Sequence, residues 1–92
     1  MRSVELSVTA RLDLQRLQEW LDERAPHVAE RVVDILTTAT RSLAEFPERG
    51  RLIRTGLREL VVPFGSAGYI IQYGVRPLRI IIARIFHSLE DR

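Results

Sequence analysis

The chain has 92 residues, 46% of them hydrophobic, which allows one modest core and predicts a single small domain over residues 1 to 92. It contains no cysteine, which excludes disulfides, thiolate metal sites and a thiol nucleophile. Residues 1 to 48 hold six arginines and nine acids, net −3, whereas residues 49 to 92 hold eight arginines and three acids, net +5, so we expect an anionic partner for the second half.

The first half of the chain predicts one strand followed by two helices. Residues 2 to 8 alternate apolar and polar side chains, which is the pattern of a half-buried strand. Thr9 is the expected cap of a first helix that has Asp13 in its first turn and ends near Arg24. Apolar residues then recur at steps of three and four from Pro26 onwards, which predicts a second helix. Its predicted apolar stripe consists of Ala29, Val32, Leu36, Ala39, Leu43 and Phe46.

The second half predicts a loop and a three-stranded meander. Pro47 ends the second helix, and residues 47 to 56 are expected to form a loop with glycines at its turns. Residues 57 to 64, 69 to 75 and 79 to 86 are predicted strands. The last of these is apolar on both faces, as expected of a strand with a neighbour on each side and helices above it. The predicted fold class is α+β in the order β-α-α-β-β-β, with a helix hairpin packed on a mainly antiparallel four-stranded sheet.

Four segments of the chain, "ELSVTARLDL", "FPERGR", "LRELVVPFGSAGYIIQY" and "IARIFHSLEDR", occur in an order and spacing typical of one family. In these segments the chain resembles the RelE/ParE superfamily of toxins from type II toxin–antitoxin systems, in its ParE-like branch. The resemblance implies a toxin that requires no cofactor and is neutralised by a cognate antitoxin protein in a hetero-oligomer. The superfamily holds both ribosome-dependent mRNA endonucleases and inhibitors of DNA gyrase on one fold, so the implied target is either DNA gyrase or the ribosome with its mRNA.

A ribonuclease of this kind needs a base, a proton donor and positive charge near the scissile phosphate. Glu48, Arg58 and His87 resemble the catalytic residues of the nuclease branch, and Arg51 and Arg84 could add phosphate contacts. However, Ser88 follows the histidine, and the tail "LEDR" has no aromatic residue to stack on a base. We therefore predict a non-enzymatic gyrase inhibitor, with the nuclease as the alternative and a binding module that has lost toxicity as a third hypothesis.

Each candidate residue also has a simpler structural interpretation. His87 is expected to end the last strand and seat the C-terminus, and Glu48 to be a solvated loop charge. Arg58 is expected near the edge of the core, paired or exposed at a strand end. Trp20 falls outside the main apolar stripe of the first helix, which leaves open packing or a partner-binding patch. The two tyrosines of the middle strand, Tyr69 and Tyr73, are expected to pack in the core or at its edge rather than to stack on a base.

The partners follow from the same features. Arg51, Arg54, Arg84 and Trp20 are the predicted contacts of a substrate or partner, and the unpaired edge of the sheet is a place where an antitoxin tail could bind. A metal site is not predicted, because only His27 could join His87 and it lies in another helix. The sequence contains neither an apolar signal region nor a membrane-spanning run, so we expect no membrane partner and a cytoplasmic location.

Overall fold

Two helices and five strands make up the fold of residues 1 to 90, which are the residues that the computed structural model describes. Their bounds are β1 Ser3–Leu6, α1 Val8–Arg24, α2 Pro26–Glu45, β2 Arg51–Arg54, β3 Leu57–Phe64, β4 Ala67–Val75 and β5 Arg79–His87. The predicted α+β architecture, with a helix hairpin on one face of a mainly antiparallel sheet, is confirmed.

The strands lie side by side in the order β1, β5, β4, β3, β2. β3, β4 and β5 form the predicted antiparallel meander, whereas β1 pairs with β5 in parallel, with Ser3 opposite Arg79 and Leu6 opposite Ile82. β5 therefore has a neighbouring strand on each side over its first four residues. Ile80, Ile82 and Ile85 are buried in the core under the helices, whereas Ile81 and Ala83 are only half-buried. β1 ends opposite Ile82, so the second half of β5 has no strand on that side.

The sheet has five strands rather than the predicted four, because part of the predicted loop over residues 47 to 56 is a strand. β2 pairs antiparallel with β3, with Arg51 opposite Glu59 and Leu52 opposite Arg58. The turn between them includes Gly56, whose φ of 79° lies in the left-handed region that favours glycine. All four side chains of β2 are exposed, so the strand has no alternation of burial that its sequence could display.

The first helix begins two residues earlier than predicted, and Ser7 rather than Thr9 is its cap. The Ser7 hydroxyl accepts a hydrogen bond from the Ala10 N–H at 3.0 Å and donates one to the Ala83 carbonyl at 3.0 Å. The same side chain thus caps α1 and ties it to β5. Because the helix begins at Val8, Asp13 lies in its second turn and not in the first.

The core lies between the helix hairpin and one face of the sheet. Its largest fully buried side chains are Tyr73, Leu36, Leu43, Ile71, Ile80, Ile82, Ile85 and Val32. The predicted stripe of α2 is buried with one exception: Phe46 lies just beyond the helix and is 58% exposed. Within residues 1 to 90, neither helix is long and apolar enough to cross a membrane.

Candidate functional site

The three candidate nuclease residues lie at two different ends of the sheet. Arg58 is opposite Tyr73 in β4, whereas His87 is opposite Tyr69 in the same strand. Four residues of a strand span about 13 Å, and β3 and β5 flank β4 at about 5 Å on each side, which puts the two backbones about 16 Å apart. Glu48 is exposed in the loop before β2, two residues from Gly50, whose carbonyl accepts a hydrogen bond from Arg58.

A buried tyrosine holds the loop between α2 and β2 in place, at the end of the sheet where Arg58 lies, through two hydrogen bonds. The Tyr73 hydroxyl donates to the Pro47 carbonyl at 2.7 Å and accepts from the Gly50 N–H at 2.8 Å. A Cβ atom at Gly50 would come within 2.7 Å of that hydroxyl, so only glycine fits there. Arg58 Nη1 donates to the Gly50 carbonyl at 2.8 Å, and burial raises the pKa of Tyr73. Arg58 therefore serves the fold of this loop, near the edge of the core.

Arg84 is paired inside the molecule with a carboxylate of α1. Its Nε donates to Asp13 Oδ2 at 2.8 Å and its Nη2 to Asp13 Oδ1 at 3.2 Å. The Ile85 N–H also donates to Asp13 Oδ2, at 2.9 Å. Burial raises the pKa of the Asp13 carboxyl, but the hydrogen bonds from Arg84 and Ile85 and the charge of Arg84 lower it further, so that the pKa lies below its ordinary value.

Beside the second half of β5, where β1 no longer pairs with it, two carboxylates accept hydrogen bonds from backbone N–H groups of the strand. Asp13 accepts from the Ile85 N–H, and Glu90 Oε1 accepts from the His87 N–H at 3.0 Å. Arg16 joins the two acids, with Nη2 at 3.5 Å from Asp13 Oδ1 and Nη1 at 2.9 Å from Glu90 Oε2. The edge of β5 beyond β1 is thus covered by α1 and by charged side chains.

Sequence reasoning missed this network, although one signal for it exists. Asp13 stands three residues after Ala10 and four before Leu17, so it occupies the buried stripe of α1. A carboxylate at such a position requires hydrogen-bond partners, because an unpaired buried charge is costly. Glu90 had no comparable signal, since its role depends on where β1 ends.

His87 is the last residue of β5 and packs against Tyr69. The two rings meet edge to face, with centroids 5.3 Å apart and planes at 86°. Its Nδ1 accepts a hydrogen bond from the Leu89 N–H at 3.1 Å. The following residue, Ser88, exchanges hydrogen bonds with the backbone of Gly68. This geometry agrees with the interpretation that His87 ends the strand and helps to position the residues that follow it.

A cavity of about 400 Å³ opens between the tip of the helix hairpin and the end of the sheet. The residues that line it are Arg16, Leu17, Trp20, Leu21, Val28, Phe64, Tyr69, His87 and Glu90. Trp20 is 53% exposed at its rim and carries the Arg24 guanidinium 4.4 Å from its ring centroid. Arg31 lies 5.5 Å from the centroid of Phe64. The mouth of the cavity is therefore rich in arginine, and its interior is mainly apolar.

The remaining predicted contact residues lie on the edge strand. Arg51 and Arg54 are both exposed in β2, and Arg51 Nη2 lies 3.6 Å from Glu59 Oε1. Glu59 itself is buried and also accepts from Gln72 Nε2 at 3.1 Å. Across residues 1 to 90, no group of three or more histidine or acidic side chains is placed to hold a metal ion.

Comparison with known proteins gives one family. The family model described as the ParE toxin of the type II toxin–antitoxin system parDE matches residues 4 to 92. The chain belongs to the ParE toxin family. The resemblance noted from its sequence motifs is thereby confirmed at the level of the RelE/ParE superfamily.

Relatives of this ParE family member occur in Caulobacter vibrioides. Toxin RelE3 is 47% identical over 92 residues, which is the whole of both chains. Toxin RelE1 is 41% identical over 90 residues, covering 98% of this chain and 97% of the relative. The names RelE and ParE thus both occur among matches to one sequence.

Two solved structures share the fold. A chain of the chromosomal ParDE system from P. aeruginosa has a TM-score of 0.79 at 21% identity, over 96% of this chain and 97% of that one. A chain of the toxin–antitoxin complex RelBE2 from Mycobacterium tuberculosis has a TM-score of 0.62 at 22% identity, over 94% and 96%. At these identities the likeness shows the fold alone, and the chemistry must be argued from this chain's own residues.

Proposed function

We propose that this ParE family toxin acts by binding its target, DNA gyrase, and not by cutting RNA. One observation carries the proposal: Arg58 lies opposite Tyr73 and His87 lies opposite Tyr69, which by ordinary strand spacing puts their backbones about 16 Å apart. The base, the proton donor and the positive charge of such a nuclease must all reach the same phosphodiester. Two groups at opposite ends of a sheet do not meet that requirement on one phosphate.

The engagement of the arginines supports the same proposal. Arg58 donates to the Gly50 carbonyl, and Arg84 holds Asp13 through two hydrogen bonds. Catalysis of phosphoryl transfer depends on positive charge that is aimed at the developing negative charge. Guanidinium groups that already serve the fold would have to leave their partners before they could do this.

We also propose that a cognate antitoxin neutralises this chain in a hetero-oligomer and that the unneutralised toxin stops bacterial growth. The matching family is described as the toxin of a toxin–antitoxin system, and RelBE2 from Mycobacterium tuberculosis was solved as a toxin–antitoxin complex. Both candidate targets, gyrase and the ribosome, lie in the bacterial cytoplasm, so we place the toxin there.

Pulse labelling tests the target. The chain is expressed from a tightly controlled promoter in a bacterial host without antitoxin, and incorporation of radioactive thymidine and methionine is followed over the first minutes. We expect thymidine incorporation to fall first and purified chain to inhibit DNA supercoiling by gyrase. If methionine incorporation falls first, the ribosome is the target and the proposal is wrong. If neither falls, the chain is not a toxin.

Two conservative variants test the chemistry in the same experiment. Glu48→Gln and His87→Gln remove the candidate base and the candidate acid while keeping side chains of similar size. We expect both variants to remain toxic, because binding does not require proton transfer. Loss of toxicity in either variant, with an unchanged circular dichroism spectrum, would favour the nuclease hypothesis instead.

A further inference from the structure

Two turns and the start of the first strand meet at the end of the sheet opposite the cavity. The β4–β5 turn is closed by the Arg76 N–H, which donates to the Arg79 carbonyl at 2.8 Å. Arg2 Nε donates to the Arg76 carbonyl at 2.7 Å, and β1 pairs with β5 from Arg79 onwards. Arg54 ends β2, just before the β2–β3 turn. These four arginines, Arg2, Arg54, Arg76 and Arg79, are called the turn patch.

A glycine in β4 makes room for one of these arginines. A Cβ atom at Gly74 would lie 3.0 Å from Arg76 Nη1 and 3.2 Å from the Gly56 carbonyl oxygen. The Arg76 guanidinium therefore lies over the end of β4, beside the β2–β3 turn, and its Nη1 also donates to the Val75 carbonyl at 3.3 Å. The turn patch is thus continuous across the end of the sheet, from β1 to β2.

The turn patch carries a net positive charge. Within residues 1 to 90, the acid in contact with it is Glu5, whose Oε1 lies 3.6 Å from Arg79 Nη1. The other charged residues of the adjoining segment 45 to 59 balance in number: they are Arg49, Arg51 and Arg58 against Glu45, Glu48 and Glu59. Four arginines against one glutamate leave a net charge of +3, which favours an anionic ligand.

The guanidinium groups of the turn patch keep donors for such a ligand. In the part of the chain that the structure describes, Arg54 makes no hydrogen bond and no ion pair. Arg2 uses only its Nε and Arg76 only its Nη1, in each case toward a backbone carbonyl. A guanidinium presents a planar fork of N–H donors that matches the oxygens of a phosphate group. The patch therefore has the chemistry of a phosphate-binding surface.

We propose that the turn patch binds the sugar–phosphate backbone of duplex DNA. Arg2 and Arg54 belong to opposite edges of the five-stranded sheet, which places them about 19 Å apart by ordinary strand spacing. The major groove of DNA is about 12 Å wide, so this end of the sheet spans the phosphates of both strands. The turns at residues 54 to 57 and 76 to 79 contain no aromatic residue that would stack on the bases of a single strand.

The binding of DNA follows from these contacts, whereas its use by the toxin rests on the proposed function. DNA gyrase acts on duplex DNA, so a toxin bound to gyrase lies close to a DNA segment. The turn patch then holds the toxin on that segment. Because phosphates carry no sequence information, binding should show no sequence preference and a steep dependence on salt.

Fluorescence anisotropy of a labelled duplex measures this binding. The probe is a fluorescein-labelled DNA of about two helical turns, about 20 base pairs, titrated with the purified full chain. Four phosphate contacts predict that the affinity falls about a hundredfold between about 50 and about 200 mM salt. A duplex of the same length and a different sequence should bind with the same affinity within about twofold.

Four variants assign the binding to the turn patch. Arg54→Ala and Arg76→Ala should each weaken binding about fivefold at the lower salt and reduce the salt slope by about one. Glu5→Gln should tighten binding up to about fivefold, because it removes the acid beside Arg79. Arg24→Ala is the matched control: it removes an exposed arginine from the tip of the helix hairpin, more than a Debye length of about 10 Å away, and the affinity should change less than about twofold.

Several outcomes overturn the proposal. No anisotropy change up to about 100 µM chain, the weak limit of ordinary non-specific DNA binding, would do so, as would equal effects of Arg54→Ala and Arg24→Ala. Tighter binding of single-stranded oligothymidylate or of duplex RNA of the same length would assign the patch to another nucleic acid. Tighter binding to phosphatidylserine vesicles, lost in Leu78→Ser, would assign the exposed apex of the β4–β5 turn to a membrane surface.

The DNA-binding proposal and the gyrase proposal fail separately. The anisotropy assay contains no gyrase, so its failure leaves the pulse-labelling result intact. If pulse labelling instead identifies the ribosome as the target, the affinity of the turn patch for duplex DNA still stands as measured, and only its use on gyrase-bound DNA is lost.

Discussion

At the end of the sheet where β2 begins, Tyr73 and Arg58 both form hydrogen bonds with the backbone of Gly50, whereas at the end where β5 stops a cavity stays open beside Trp20. Both ends hold arginines and aromatic rings. At the closed end, a tyrosine hydroxyl and a guanidinium satisfy backbone groups of one loop. At the open end, rings and guanidinium groups line a space that nothing in residues 1 to 90 fills.

The contrast teaches that residue type does not identify the site in this fold. Arg58 and His87 looked alike as candidates, since each stood near a strand end in the basic half of the chain. Arg58 bonds to a backbone carbonyl of its own loop, and the His87 ring packs on Tyr69 at the wall of the cavity. The position along β4, opposite Tyr73 or opposite Tyr69, decides which surface each residue serves.

The largest effect is expected from Asp13→Ala, which breaks the network that supports the open end. The change leaves the buried Ile85 N–H without its acceptor and Arg84 without its carboxylate. We expect the free energy of unfolding in urea at neutral pH to fall by about 3 kcal/mol. A loss below about 1 kcal/mol would show that water replaces the carboxylate and that the network is dispensable.

The pH dependence of the same position gives a second measurement. The pKa of Asp13 in the folded chain lies below the ordinary value of an aspartate, about 3.9. The stability due to its charge is therefore full above that ordinary value and is lost as the pH falls through the lower pKa of the folded state. Asp13→Asn resembles the protonated acid in shape. The stability difference between the native chain and Asp13→Asn should therefore be constant near neutral pH and shrink below about pH 4. A constant difference down to pH 2 would contradict the lowered pKa.

Those elements whose side chains follow a repeating pattern of burial could be predicted from the sequence. The stripe of α2 and the apolar run of β5 gave the correct elements, because burial on one face or on both leaves a pattern in the residues. β2 was missed because its four side chains are all exposed and only its backbone pairs with β3. A strand that is held only by backbone hydrogen bonds to its partner leaves no pattern in its own side chains from which its position could be predicted.

The candidate site was less predictable for a related reason. Trp20 was correctly singled out as lying off the main stripe, and it is exposed at the cavity. Asp13 was interpreted as a favourable charge near the start of a helix, because the helix was expected to begin two residues later than it does. Its contacts with Arg84 and Ile85 join positions more than 70 residues apart, and no local pattern encodes them.

A smaller effect is expected from Tyr73→Phe, which tests the closed end. The variant removes the donor to the Pro47 carbonyl and the acceptor of the buried Gly50 N–H while keeping the ring in the core. We expect the free energy of unfolding in urea to fall by about 2 kcal/mol. Tyr69→Phe is the matched control, since it removes the other hydroxyl of β4 at a distance from this loop. If both variants lose the same stability, the loop hydrogen bonds contribute nothing specific.

The smallest effect is expected from Arg51→Ala on the edge strand. Its side chain is 78% exposed and lies 3.6 Å from the buried Glu59, so water screens the pair from the arginine side, and screened pairs contribute about 0 to 1 kcal/mol. Glu59 also keeps the hydrogen bond from Gln72, so we expect the free energy of unfolding to change by less than about 0.5 kcal/mol. Arg84→Ala, measured beside it, should cost more, because Arg84 donates two hydrogen bonds to Asp13, at 2.8 and 3.2 Å. If Arg51→Ala were more destabilising than Arg84→Ala, the Arg51 side chain would help to hold the closed end of the sheet together. If Arg84→Ala is the more destabilising, as expected, the fold does not need the Arg51 guanidinium, which is then available to an anionic partner.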